Sequence, residues 1–350
     1  MTTGGLVHDA GFYDSDEQLL RLVVPFVQAG LDAGEPTVVV LDDSNTELVR
    51  SALADSPYLS FVSGQYDRPA TVLKSVHKLV AECLSQGARR IRIVGEVPHP
   101  GVGVPWEWWA RFESAVNHAL AQLPLWALCP YDRRITPDEV LDDVAQTHPY
   151  LVTTDGRRIV NDRYIDPAVF LTHPRPPRAD PLEAFPPVVD LLNPTAAAAR
   201  RAVVDAARAT ALGDDEVADL VIAVSETVTN AACHGRPPAR LRLWPDRDRM
   251  VVAISDQGRG PTDPFAGLLP ASKAPTGGLG LWLAHQLVNL VTFDHQEDGF
   301  TVRLTAGTPQ PADVQREVGH FRHTPGGSRS SLSGGSWNGI AKSALPMVAW

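Results

Sequence analysis

Cysteine is scarce in this chain. Its 350 residues hold three, Cys83, Cys129 and Cys233. They are odd in number, far apart, and form no Cys-x-x-Cys pair, which excludes a disulfide framework, fits a reducing compartment and gives no cysteine-based support for a metal site. Long apolar runs are missing too, since none approaches the roughly 18–20 residues of a membrane-crossing helix. The opening Met1-Thr2-Thr3-Gly4-Gly5 lacks the basic and apolar blocks of a secretory signal, so a cytoplasmic chain is expected. Positive charge is in deficit, with 31 Lys+Arg against 41 Asp+Glu and a formal charge of −10. That argues against direct non-specific binding to nucleic acid or to an anionic membrane. The first half also lacks a Gly-x-x-x-x-Gly-Lys-Ser/Thr phosphate loop.

What is present suits two ordinary domains, because 44% of the residues are hydrophobic and a domain typically needs about 100–200 residues. The first 150 residues alternate strand and helix signals. An amphipathic pattern from Asp14 to Leu31 follows a cap candidate at Asp14 or Ser15, with Pro25 expected to kink or split it and Gly34 to end it. Strands are read at Pro36–Leu41, Tyr58–Val62, Arg90–Val94 and Leu125–Cys129, and helices at Ala70–Leu84, Trp106–Leu123 and Pro137–Ala145. Strands alternating with helices of this length mean βαβ units and a mostly parallel sheet. Ligands of such sheets bind beyond the carboxyl ends of the strands. Glu96 and Asp132 stand at such ends and are the candidate ligand contacts; the alternative is that each caps the turn after its strand. His8, Glu96, His99, Asp132 and His148 are of metal-ligand types but too scattered to define a set. Trp106, Trp108 and Trp109 are expected to pack a helix onto the sheet, with part of the cluster free to line an apolar pocket.

Prolines at 167, 174, 176, 177, 181, 186 and 187 forbid a long helix between the two halves. We expect a semi-rigid, extended linker over residues 166–185.

The second half holds the most informative stretch, Val224-Ser225-Glu226-Thr227-Val228-Thr229-Asn230. Four residues make about one helical turn, so Glu226 and Asn230 project from one face. An amide oxygen there suits Mg²⁺, which takes oxygen ligands and nucleotide phosphates. A carboxylate one turn earlier suits a proton acceptor for whatever attacks a phosphoryl group. Further on, an apolar strand, Met250–Ser255, runs into Asp256-Gln257-Gly258-Arg259-Gly260. A carboxylate at a strand end can accept from the exocyclic amine of adenine. Thr276-Gly277-Gly278-Leu279-Gly280-Leu281 then opens an amphipathic helical segment, and glycines before a helix N-terminus offer backbone N–H groups to phosphate. Each glycine cluster alone reads as a tight turn; the three motifs in this order point to a nucleotide site.

Residues 186–307 resemble the GHKL-type ATPase domain, in its compact branch of anti-sigma factor serine kinases. Glu226 and Asn230 match the family's N box, Asp256-x-Gly258-x-Gly260 its G1 box and Gly278-x-Gly280 its G2 box. Thr301 falls where the family's last strand often puts an adenine-side hydroxyl, although threonine is also simply a good strand former. His234 falls at a familiar position and reads equally as a helix-end histidine. The resemblance implies a Bergerat-type α+β fold, a mixed sheet with helices on one face. It also implies ATP and Mg²⁺ as cofactors, with Asn230 holding the metal and Glu226 as catalytic base. The partners implied are a STAS-type anti-anti-sigma factor, phosphorylated on serine or threonine, and a sigma factor sequestered by a homodimer. Two other readings stay open: a non-catalytic ATP-gated sigma-factor binder, and an ATP-hydrolysing switch.

Residues 1–165 resemble the MEDS sensory domain. The resemblance is carried by His8, Phe12–Glu17, Pro25–Pro36, Arg92–Glu96, Glu113 with Asn117, Cys129–Asp132 and Thr147–Pro149. It implies a RecA-like α/β fold that senses a small molecule without nucleotide chemistry. Residues 308–350 include the low-complexity run Gly326–Ser336, and disorder is expected there.

Overall fold

The computed structural model describes residues 4–62, 69–102, 105–173, 179–269 and 279–308. The expected disordered tail, apart from Thr308, and residues 174–178 of the proline-rich stretch lie outside these. The chain divides into two compact units, with the main division between Phe170 and Leu171. No helix among the described residues is long and apolar enough to cross a membrane.

The N-terminal unit is built from β1 (Val7–Tyr13), α1 (Asp16–Asp32), β2 (Thr37–Val40), α2 (Asp43–Ser51), β3 (Leu59–Val62), α3 (Pro69–Ser85), β4 (Ile91–Gly95), α4 (Glu107–Ala119), β5 (Leu125–Asp132), α5 (Asp138–Thr147), β6 (Tyr150–Val152), β7 (Arg158–Val160) and α6 (Pro167–Thr172). Its seven strands run in the order β3-β2-β4-β5-β1-β6-β7. Every neighbouring pair is parallel except β6 with β7. The strands β2 and β4 are buried at every position, as expected of a parallel sheet covered on both faces.

Ser15 caps α1 by accepting from the Gln18 N–H, and Gly34 ends that helix region with φ at +66°. Pro25 lies inside α1 without splitting it. A proline inside a helix costs about 3 kcal/mol. Leu19, Leu22, Val23 and Val27 of the same helix are fully buried, and each contributes roughly 1.5–3 kcal/mol, so packing outweighs the break. The three tryptophans are buried.

Sequence reading passed over β1, α2, the short pair β6 and β7, and α6. The strand β1 carries His8, Asp9 and Gly11 in place of a β-branched run, and α2 is too short to show periodicity. Asp42 starts α2 by accepting from the Asn45 N–H at 2.7 Å.

The C-terminal unit contains β8 (Val189–Leu192), α7 (Ala196–Ala207), α8 (Asp214–Cys233), β9 (Arg240–Pro245), β10 (Arg249–Asp256), α9 (Gly280–Leu287), β11 (Leu290–Gln296) and β12 (Gly299–Gly307). The strand order is β11-β12-β10-β9-β8. The expected mixed sheet is antiparallel throughout among the described strands. Alternate residues such as Leu241, Val252, Ile254, Val302 and Leu304 face α7, α8 and α9 in one core. The intervening residues form the other face.

That second face is covered by part of the proline-rich stretch expected to be an extended linker. Asp180 caps a single 3-10 turn, Pro181–Ala184, and Leu182 packs on Trp244, Val251 and Ala253. Two buried guanidinium groups hold the turn down. Arg249 pairs with Asp180 at 2.6 Å, and Arg303 pairs with Glu183 and Asp294. Trp244 donates to the Phe185 carbonyl at 2.8 Å. Buried charges require partners, and these arginines find theirs in the short acidic stretch.

Candidate nucleotide site

The helix α8 starts with Asp214, Asp215 and Glu216 in its first turn, where negative charge complements the helix dipole. The Glu216 carboxylate accepts from the Gly213 N–H at 2.9 Å. Leu220, Ala223, Val224, Thr227, Val228 and Ala231 bury one stripe of the helix. That stripe fixes its rotation and sets Glu226 and Asn230, both half-buried, along one edge. The chain then returns through β9 to β10, whose last residue is Asp256.

Asp256 is held from both sides. Its Oδ1 accepts from the Arg236 N–H at 2.9 Å and the Gly258 N–H at 2.6 Å. The Oδ2 has no hydrogen-bond partner among the described residues and remains an acceptor for a ligand. Gly260 takes φ at +72°, and a Cβ there would lie 2.6 Å from the Phe300 ring, so both conformation and space call for glycine.

The second glycine motif reaches the same place from the other side. Gly280 opens α9, and a Cβ on it would lie 2.9 Å from Asn230 Nδ2 and 3.0 Å from Glu226 Oε2. The N-terminus of α9, a seat for anionic groups, is thereby set against the Glu226/Asn230 edge. Gly278 lies outside the described residues.

Between these parts is a cavity of about 420 Å³ lined by Asn230, Asp256, Gly260, Ile254, Phe300 and Val302 among others. Volumes of about 300–1,000 Å³ are usual for small-molecule sites. Apolar Ile254, Leu281, Phe300 and Val302 share its lining with polar Thr227, Asn230, Asp256 and Asp263. His234, at the end of α8, also lines it. The apolar part of the lining was not anticipated from sequence, although alternation along β10 and β12 could have signalled it. Thr301 does not belong to this wall. Phe300 and Val302 line the cavity, so alternation turns Thr301 to the opposite face, where its register neighbours are Ser255 and Asp294. Its expected adenine-side role is not available to that hydroxyl.

In the N-terminal unit, Glu96 joins a half-buried polar group at the strand ends. It accepts from the Asp42 N–H at 2.8 Å, from Asn45 Nδ2 at 3.1 Å and from the Tyr13 hydroxyl at 3.5 Å. Burial pushes its carboxyl up to about 7 and, with the nearby Glu96 and Asp132 charges, pushes the Tyr13 phenol up. Asp132 instead locks its own turn, accepting from the Arg134 N–H at 2.8 Å and pairing with its guanidinium at 2.7 Å. No hydrogen bond joins Glu96 to Asp132 among the described residues. Of the scattered metal-type residues, His99 contacts the Thr136 hydroxyl, whereas His8 and His148 pack together at 4.0 Å between ring centroids.

A helix-covered antiparallel sheet with an Asn-bearing helix, a strand-end Asp and glycine turns around one cavity defines an ATP-binding domain of the histidine kinase-like class. Family comparison agrees. Residues 191–306 match the histidine kinase-like ATPase domain, and residues 7–149 match MEDS, the methanogen/methylotroph, DcmR sensory domain. The chain thus carries a MEDS sensory domain followed by a histidine kinase-like ATPase domain. No curated protein matches the chain.

Among solved structures, the RsbU and RsbW domains of Rv1364c from Mycobacterium tuberculosis are 22% identical over 36% of this chain and 34% of that one, with a TM-score of 0.25. The present chain therefore spans about a third of that protein. The mycobacterial sensor histidine kinase MprB is 21% identical over 35% of this chain and 99% of its own, at a TM-score of 0.24. The histidine kinase domain of the E. coli osmosensor EnvZ is 16% identical over 41% and 97%, at 0.22.

Proposed function

We propose that this chain is a signal-transducing protein serine/threonine kinase of anti-sigma type, using ATP and Mg²⁺ under the control of its MEDS domain. The observation that carries the reading is that Asn230 and Asp256 line one cavity while Gly280, at the start of α9, closely approaches Asn230 and Glu226. The donor set fits the nucleotide. The Asp256 Oδ2 is an acceptor suited to the adenine amine, part of the lining is apolar, and the α9 N-terminus favours phosphate. Asn230 supplies the hard oxygen ligand that Mg²⁺ prefers, and the ion, when bound, neutralises phosphate charge.

Glu226 is the base. In the step proposed, a serine or threonine oxygen of the partner bonds to the γ-phosphorus, the bond to the β,γ-bridging oxygen breaks, and ADP leaves. The hydroxyl proton passes to the Glu226 carboxylate. An acceptor on another protein is favoured by the short 3-10 turn at Pro181–Ala184 ahead of β8, where a sensor histidine kinase needs a long dimerising helix. The partner class, a STAS-type anti-anti-sigma factor, and capture of a sigma factor by a homodimer rest on the family resemblance.

The test is transfer of labelled phosphate from γ-labelled ATP·Mg²⁺ to STAS-domain proteins, with wild type and Glu226→Ala side by side. Label on one hydroxyl residue, lost at least a hundred-fold in the variant while ATP still binds, is the expected result. ATP binding with no acceptor labelled overturns the kinase reading in favour of an ATP-gated binder. Steady phosphate release without an acceptor favours the hydrolytic switch.

A further inference from the structure

Four side chains from four elements meet inside the MEDS domain, and none belongs to the nucleotide site. His8 comes from β1, Glu113 from α4, Cys129 from β5, and His148 from the end of α5. All are buried, and one ligand atom from each lies within 4.8 Å of all the others. His148 Nε2 is 3.1 Å from Glu113 Oε2, His8 Nε2 is 3.7 Å from the same oxygen, and Cys129 Sγ is 3.5 Å from His8 Nε2. Ligands on a tetrahedral metal with bonds of about 2.0–2.3 Å stand about 3.3–3.8 Å apart. The group already has nearly that spacing.

The ring orientations point the same way. His148 Nδ1 faces the Val144 carbonyl at 2.9 Å, which can only accept, so Nδ1 carries the hydrogen. His8 Nδ1 faces the Asn117 Oδ1 at 3.1 Å. The orientation of that amide is fixed because its Nδ2 donates to the Glu113, Ser114 and Thr147 carbonyls. Both imidazoles therefore turn an Nε2 lone pair toward Glu113 and Cys129. Outer partners that fix the tautomer in this way are a regular feature of metal-ligating histidines.

A network without metal explains the group less well. His148 Nε2 is fully buried and, although near Glu113, has no aligned hydrogen-bond partner. Among the described residues, no Lys or Arg pairs with the Glu113 carboxylate. The Tyr131 hydroxyl donates to Glu113 Oε2 at 3.2 Å, but one neutral donor does not offset a buried carboxylate that also faces two imidazole lone pairs and a sulfur, whereas a cation would.

The geometry points to a divalent transition-metal site of His8, Glu113, Cys129 and His148, with Zn²⁺ the ion that a four-coordinate set of two nitrogens, one sulfur and one oxygen suits best. Binding displaces the thiol proton, and Cys129 ligates as thiolate. A cleft of about 60 Å³, lined by Leu6, Val72, Ile93 and Phe112 together with His8, Glu113 and Cys129, borders the group.

The test uses the full chain without a polyhistidine tag. After dialysis the expected zinc content is one per chain. Replacement by Co²⁺ should give the intense visible bands of a tetrahedral ion and a thiolate-to-cobalt charge-transfer band. Cys129→Ser should abolish that band, while Cys233→Ser, at the exposed thiol, should leave it intact. Asn117→Ala should weaken Zn²⁺ about 10–100-fold against a chromophoric chelator. A folded wild-type chain with substoichiometric zinc and no tetrahedral Co²⁺ spectrum overturns the site, whatever the variants do. A charge-transfer band that survives Cys129→Ser and disappears with Cys233→Ser also overturns it, as a surface thiol site.

Discussion

At the residue scale, environment decides what each carboxylate can do. Glu96 keeps its proton to about pH 7 in the fold, against an ordinary value of 4.5. The native state therefore binds the extra proton between those two values, and stability falls as pH rises through the window and stays low above it. The full effect is up to about 3 kcal/mol. Glu96→Gln should remove this slope, so its melting temperature should gain on wild type between pH 5 and 7, as checked by thermal unfolding over that range. Parallel curves would show that Glu96 is already ionised there.

Asp256 differs, because it lines the cavity and two backbone N–H groups fix one oxygen while the other has no hydrogen-bond partner among the described residues. Asp256→Asn can retain the fixed acceptor while placing an amide donor opposite the adenine amine. Loss of a charge-assisted hydrogen bond of about 1.5–3 kcal/mol should weaken ATP roughly 10–100-fold by titration calorimetry. Unchanged affinity would remove Asp256 from the adenine site.

At the scale of elements, the start of α9 and the turn at Pro181–Ala184 carry the consequences. A methyl group at position 280 would crowd Asn230 and Glu226. Gly280→Ala should therefore weaken ATP at least about ten-fold and leave adenosine nearly unaffected, because the strain falls at the phosphate end. Equal loss for both ligands would mean that the substitution disturbs the whole cavity. On the outer face of the sheet, Arg303→Ala would leave Glu183 and Asp294 buried without their cation. Breaking such a group costs about 3–5 kcal/mol, readable as a lower denaturant midpoint for the ATPase domain. A shift within about 0.5 kcal/mol would mean that the turn contributes little to that face.

At the scale of the molecule, two separate cores are present, one around a parallel sheet and one around an antiparallel sheet. Two-state behaviour belongs to single domains, so two calorimetric transitions are expected. ATP·Mg²⁺ at 100 times its dissociation constant should stabilise the ATPase domain by about 2.7 kcal/mol and raise one transition only. A single merged transition that ATP raises as a whole would show that the two domains unfold together.

Much of this was legible in the chain itself. Periodicity marked most helices and buried strands of the first half, and local chemistry marked the caps at Ser15 and Gly34. Motif spacing joined Glu226, Asn230, Asp256 and the glycines to one family, because four residues on a helix or two around a turn are fixed by backbone geometry. What needed the tertiary structure lies where distant segments meet. Only strand alternation within the assembled sheet turns Thr301 away and brings Phe300 and Val302 to the cavity. Only the assembled sheet, with the buried guanidinium groups of Arg249 and Arg303 and the apolar seat of Leu182, explains why a proline-rich stretch docks. The meeting of His8, Glu113, Cys129 and His148 has no signature in spacing, since their separations along the chain are set by crossovers of the sheet and not by any local repeat.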